Sequence, residues 1–216
     1  MRDYNDPLHD ERRQQRSELL EQNNDVEGGP SLWIDDDLSP SDHQPLEAGE
    51  NAVERALEQW RESIIEPDSL VCEGPILDKY IQCGIEWDWI TDYQNRKFAW
   101  CGAFAAWAWR DSVNRTVRRK SFPSTYRLQK WAQGTERVIS DISQARRGDL
   151  VIVGHKKNWG DHITLFERHD ENGFWTVEGN AWGEVPAGGP RREGVIRRWR
   201  SNDEVNAIYR PLERDR

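Results

Sequence analysis

The sequence predicts an α+β fold, with helices first and an antiparallel sheet after them, on three observations. Apolar residues recur at helical spacing as far as about residue 134. After Gly148 the period changes to alternating or short continuous β runs separated by turn residues. The chain has 216 residues, enough for one packed domain plus a tail and too few for two ordinary domains. Runs of helices followed by runs of strands indicate α+β layering, with the sheet covered on one face by a helix.

Residues 1–49 read as a disordered or extended arm. Charge clusters, Gly28-Gly29-Pro30, Asp35-Asp36-Asp37 and Ser39-Pro40-Ser41 surround isolated apolar points such as Leu19, Leu20 and Leu32-Trp33-Ile34. The domain is expected over residues 50–216. Its first helix is expected over 52–65, with Asn51 as N-cap, Glu54 completing a capping box, and Val53, Ala56, Leu57, Trp60 and Ile64 as the apolar face. A shorter helix is expected around Pro75 to Cys83, ended by Gly84. From Cys101 to about Val113, small residues alternate with Phe104, Trp107 and Trp109, which marks a central helix that lets neighbours approach closely. Ser124 opens a further helix that ends near Gly134. Strands are expected at Leu150 to Val153, His162 to Arg168, Phe174 to Glu178 and Val195 to Trp199.

Composition narrows the function. The net charge of −9 gives no electrostatic footprint for a nucleic acid and disfavours an anionic membrane surface. The longest apolar run, Ala103 to Trp109, is too short to span a bilayer, and the opening MRDYNDPLHDERRQQR lacks the apolar stretch of a signal peptide, so delivery by another route is expected. Three cysteines argue against a disulfide framework and for a reducing compartment. The twelve tryptophans are either sugar platforms or core fillers, and their core-like spacing favours filler.

A thiol attacks acyl groups as thiolate, and a helix N-terminus or an imidazolium lowers its pKa. Cys101 opens the central helix, where the helix dipole favours the thiolate. His162 leads the strand HITLF and can reach a helix end packed on the sheet. Glu178 and Asn180, two apart at the end of the next strand, face the same side of it, and one of them could hold the imidazole by Nδ1 and leave Nε2 to the thiol.

Trp100-Cys101-Gly102-Ala103-Phe104, Arg147-Gly148-Asp149-Leu150-Val151-Ile152, Asp161-His162-Ile163 and Val177-Glu178-Gly179-Asn180 resemble, in this order, the signatures of the CHAP and NlpC/P60 superfamily of papain-like peptidoglycan hydrolases, nearest its CHAP-like branch. The resemblance covers roughly residues 51–212. It implies a papain-like fold, Cys101 as nucleophile, His162 as general base and later acid, and Glu178 with Asn180 as the orienting pair. It further implies the backbone N–H of Cys101 as one oxyanion donor, with the second left open among Tyr93, Gln94 and Trp100. No cofactor or metal is expected, because Asp35-Asp36-Asp37 lacks the spacing of a calcium loop. Trp100, Trp159 and Trp182 are candidate substrate walls.

The implied partner is peptidoglycan, cut at an amide by an amidase or endopeptidase of a phage lysin, a virion enzyme or a secreted antibacterial effector. A delivery, assembly or immunity protein could bind the arm or the cleft. Two alternatives stay open: a papain-like acyltransferase or deamidase toxin acting on protein, and a non-catalytic structural phage protein that retains the fold.

Overall fold

The computed structural model describes residues 44–66, 76–84, 99–154, 162–188 and 191–212, all within one unit, Ser41–Arg216. The arm up to residue 43, Cys72, Pro75, Tyr93, Gln94 and Trp159 lie outside the described residues.

The first helix, α1, spans Gln44–Arg61 and so begins well before the expected start. Asn51 is exposed and lies inside it, and Glu54 is engaged not with a cap but with Arg147. Tertiary packing explains the extension. A Cβ on Gly49 would lie 2.2 Å from the carbonyl oxygen of Arg147, so only glycine lets the first turns close on the Arg147-Gly148 corner. Arg147 also pairs with Glu50 at 2.5 Å. At the other end Ser63 takes a positive φ of 56°, and Ile65 leaves to bridge Gly194 instead of continuing the helix.

A π-helical turn, Ile76–Ile81, runs into the short α2, Gln82–Gly84. Tyr80 is its anchor: fully buried, it donates to Gln59 Oε1 at 2.9 Å and lies parallel to Trp100 at a ring separation of 5.5 Å. Helix α3, Cys101–Ala108, is buried throughout except at Cys101, and its alanines let the two-layer core close. It stops short of Val113; the Trp109 indole donates to the Gly148 carbonyl at 3.1 Å and the chain continues as turns. Helix α4, Arg115–Ser121, was not expected, because its sequence RTVRRKS has no apolar stripe; Asn114 caps it by accepting from Thr116 N–H at 2.9 Å. Helix α5, Thr125–Ala132, follows Ser124 as expected, although the Ser124 side chain makes none of the capping hydrogen bonds expected of it.

Six strands form one antiparallel sheet: β1 Val138–Ile139, β2 Leu150–Val153, β3 His162–Asp170, β4 Gly173–Gly183, β5 Arg192–Ser201 and β6 Val205–Tyr209, in the order β1-β6-β2-β3-β4-β5. The α+β expectation stands. Strands β1 and β6 were not foreseen, and the four expected strands are present, three of them longer than expected. Leu150, Ile152, Ile163, Leu165, Val177 and Val195 face α1 and α3 in the main core, whereas Val151, Val153, Phe166, Phe174 and Ile208 form a smaller cluster on the opposite face.

Burial explains the insertion of β6 beside β2. Asp149, 2% exposed, accepts from Arg210 Nε at 2.9 Å and Nη2 at 2.8 Å, and from the Arg146 N–H at 2.8 Å. Burial alone would push this carboxyl up strongly, and Arg210 offsets part of that. The Gly148-Asp149 element of the sequence is thus a structural clamp between β2 and the end of β6. Arg210→Met leaves Asp149 buried without its cation and is expected to cost about 3–5 kcal/mol, read as a lower urea midpoint at unchanged m-value.

Candidate active site

Cys101 is the first residue of α3 and the only partly exposed one in that helix. Two close approaches position it. A Cβ on Gly102 would meet the Phe122 carbonyl oxygen at 2.3 Å, so glycine lets the helix end pass beneath the corner between α4 and α5. A Cβ on Gly179 of β4 would meet Phe104 Cβ at 2.5 Å and Trp100 Cζ3 at 2.6 Å, so glycine there lets α3 rest on the sheet.

His162 is the first residue of β3, paired with Val153, and its side chain is 23% exposed. Its Nε2 lies 3.2 Å from Glu178 Oε2, an ion-pair distance. The ring is also in hydrogen-bonding reach of the Cys101 sulfur, and with Nε2 turned to Glu178 the nitrogen left for the sulfur is Nδ1. The ring orientation therefore reverses the expected one. Cys101, His162 and Glu178 are brought together as anticipated, with the roles of the two nitrogens exchanged.

The electrostatics follow from these contacts. Burial pushes the Cys101 thiol up, but the His162 imidazolium, its hydrogen bond to the sulfur, and the N–H groups of Ile163 and Gly102 outweigh burial and leave the thiol below its ordinary value. Burial likewise disfavours the charged imidazole, and the thiolate together with Glu178 overcomes it, holding His162 well above the usual histidine range. Each charged form thus supports the other: the imidazolium lowers the thiol and the thiolate raises the imidazole.

Glu178 is completely buried. Its Oε1 accepts from Thr176 Oγ1 at 2.6 Å and Arg200 Nε at 2.8 Å, and its Oε2 accepts from Arg200 Nη2 at 2.7 Å. Desolvation opposes ionisation, yet His162 and Arg200 together hold the carboxyl far below the usual carboxylate range. Arg200 Nη1 reaches on to Glu204 Oε2 at 2.7 Å. Thr176 and Arg200 were missed in the sequence. Their only signal was T-x-E on one strand and an arginine-rich partner strand whose register was unknown.

Asn180 does not share the role of Glu178. A β-bulge between Glu178 and Ala181 breaks the alternation, and Asn180 sits at a φ of 59°, a left-handed conformation that asparagine tolerates. Its Oδ1 accepts from the Trp100 N–H at 2.9 Å, and its Nδ2 donates to Glu193 Oε1 at 2.5 Å and weakly to Glu66 Oε2 at 3.5 Å. Asn180 thus ties the entry of α3 to the sheet. The same bond occupies the Trp100 N–H, which removes it as an oxyanion donor.

Trp100 is not a substrate wall. Its ring is fully buried against Tyr80 and Phe104, and its indole donates to Glu66 Oε2 at 3.2 Å. Trp182, 57% exposed beyond the bulge, remains available for contact. Among the described residues no group of three or more His, Cys, Asp and Glu could hold a metal ion, and no helix is long and apolar enough to cross a membrane. The chain matches no family model, no curated protein and no solved structure.

The lowered thiol and raised imidazole imply a pH response. Alkylation of Cys101 by iodoacetamide is expected to set in at a pH below the ordinary thiol range, and His162→Ala should move that onset upward. The stabilisation that His162 gains from its raised pKa is fully present below its unfolded value of 6.5 and is lost as pH rises through the folded value. Wild type should therefore lose stability in alkali more steeply than His162→Ala, as followed by thermal unfolding at stepped pH.

Proposed function

We propose that this protein is a cysteine hydrolase of the CHAP-like, papain-like kind that cleaves amide bonds of peptidoglycan, with Cys101 as nucleophile, His162 as base and acid, and Glu178 as the group that orients and charges the imidazole. The observation that carries this is the thiol of a helix-leading cysteine in hydrogen-bonding reach of an imidazole whose other nitrogen faces a buried carboxylate. The order of sequence elements resembling CHAP and NlpC/P60 signatures supports the substrate class.

The reaction runs on this chain's own groups. The Cys101 thiolate attacks the amide carbonyl carbon, and the oxygen becomes an anion facing the end of α3, where the Cys101 N–H can donate to it. The His162 imidazolium gives its proton to the departing nitrogen as the C–N bond breaks, which leaves a thioester and a free amine. Neutral His162 then takes a proton from water, hydroxide adds to the thioester, and the C–S bond breaks to restore the resting pair and release a carboxylic acid, which loses its proton to solvent. Glu178 stays ionised throughout, and its charge favours His162 in the protonated form each time.

Purified full-length chain incubated with isolated sacculi should release new amines and carboxyls, located on muropeptides by mass spectrometry. Cys101→Ala and His162→Ala should lower release by roughly 10³-fold or more while keeping the fold, and Cys83→Ser, whose thiol accepts from Arg118 and not from His162, should keep activity. Absence of release from every wall type, together with selective labelling of Cys101 by an electrophile, would move the substrate to protein side chains and the reaction to acyl transfer or deamidation. An unreactive Cys101 would remove the enzymatic reading altogether.

A further inference from the structure

Three partners converge on Glu178 among the described residues, and they differ in what they can do. His162 approaches from β3 at 3.2 Å, Thr176 from Glu178's own strand β4 at 2.6 Å, and Arg200 from β5 with both Nε and Nη2. Of these, only Arg200 is a permanent cation. Glu204, from the turn after β5, faces Arg200 and not Glu178, at 2.7 Å from Nη1. Arg198, on the same strand as Arg200, is spent on the Trp182 carbonyl. Cys101 meets the group only through His162.

Resting on the hydrolase reading above, we infer that Arg200 is the positioning residue of this site: its two-pronged grip holds the buried Glu178 carboxylate as an anion aimed at His162 Nε2. A completely buried carboxylate stripped of its permanent cation has one hydroxyl and one imidazole contact at 3.2 Å left, and burial then favours the neutral acid. A neutral carboxyl leaves the imidazolium with the thiolate alone as counter-charge, which weakens the charged pair. Arg200 acts at a distance from the chemistry, through Glu178 and His162, and Glu204 keeps its guanidinium flat against the carboxylate by occupying the third nitrogen.

The sheet carries its own control. Arg210 grips Asp149 with the same two-pronged geometry, and no titrating side chain of the Cys101 site touches that pair. A merely structural role for Arg200 should look like that of Arg210.

The test is the pH dependence of iodoacetamide alkylation of Cys101 in the full chain carrying Cys72→Ser and Cys83→Ser, with circular dichroism as the check on folding. Arg200→Met is expected to shift the acid limb of the profile upward by about one pH unit or more, which is roughly tenfold slower alkylation on that limb. Arg200→Lys, which keeps charge and loses the fork, should fall between Arg200→Met and wild type. Arg210→Met should lower stability and leave the limb where it is. If Arg200→Met does not fold, an unmoved limb in Arg200→Lys overturns the inference. So does a folded Arg200→Met with a limb that stays or moves downward, since Arg200 would then only screen Glu178. An equal shift in Arg210→Met would assign the effect to the sheet as a whole. A wild type that alkylates like an ordinary thiol at every pH would instead sink the hydrolase reading, and the inference with it.

Discussion

The constraint on which the rest of this structure depends is the burial of one charge, the carboxylate of Glu178. An ionised carboxyl with no solvent exposure is costly by several kcal/mol unless its oxygens are fully partnered, and here each partner comes from a different part of the chain: Thr176 on the same strand, Arg200 from β5 and His162 from β3. Such a group holds three strands in register at once, because a slip of one residue in either pairing would turn its partner to the other face. The same charge, together with the Cys101 thiolate, favours the protonated imidazole, and the imidazolium favours the thiolate. Fold and chemistry are therefore not separable at this point of the sheet.

A second device works beside it. The bulge that follows Glu178 puts Gly179 against α3 and rotates Asn180 into a left-handed conformation, so three consecutive residues have three separate tasks. Glu178 faces the imidazole, Gly179 lets the helix close, and Asn180 takes the N–H of Trp100, the residue before Cys101. Without the bulge, Asn180 would lie on the same side as Glu178, and α3 would have no anchor where its first turn must be held.

Much of this was legible in the sequence, and the parts that were not share a cause. The change of period at Gly148, the small-residue helix after Cys101 and the strand led by His162 are local patterns, and local patterns survive reading without coordinates. The start of α1 was misplaced because it rests on contact between Gly49 and Arg147, nearly a hundred residues apart. The ring nitrogens of His162 were exchanged because orientation depends on the registers of β2, β3 and β4 together. Arg200 was invisible for the same reason. In REGVIRRWR, Arg197 serves Glu167, Arg198 serves the Trp182 carbonyl and Arg200 serves Glu178, and nothing in the segment itself distinguishes them.

This distinction bears on how the four sequence elements behind the resemblance should be weighed. Gly148-Asp149-Leu150 stands in order between Cys101 and His162, yet Asp149 is occupied with Arg210 and with backbone, on the way into β2. Trp100, beside the nucleophile, is core. Two of the four elements thus contribute side chains that build the sheet and its helix, and they would persist in a protein of this fold that had lost its chemistry. The discriminating residues are Cys101, His162 and Glu178 with its arginine. Catalysis gives a buried anion beside an imidazole a use; a scaffold alone would be served as well or better by an apolar side chain in that place. The retention of Glu178 at full burial, with a cation committed to keeping it charged, therefore weighs toward a working site more heavily than the order of the motifs does.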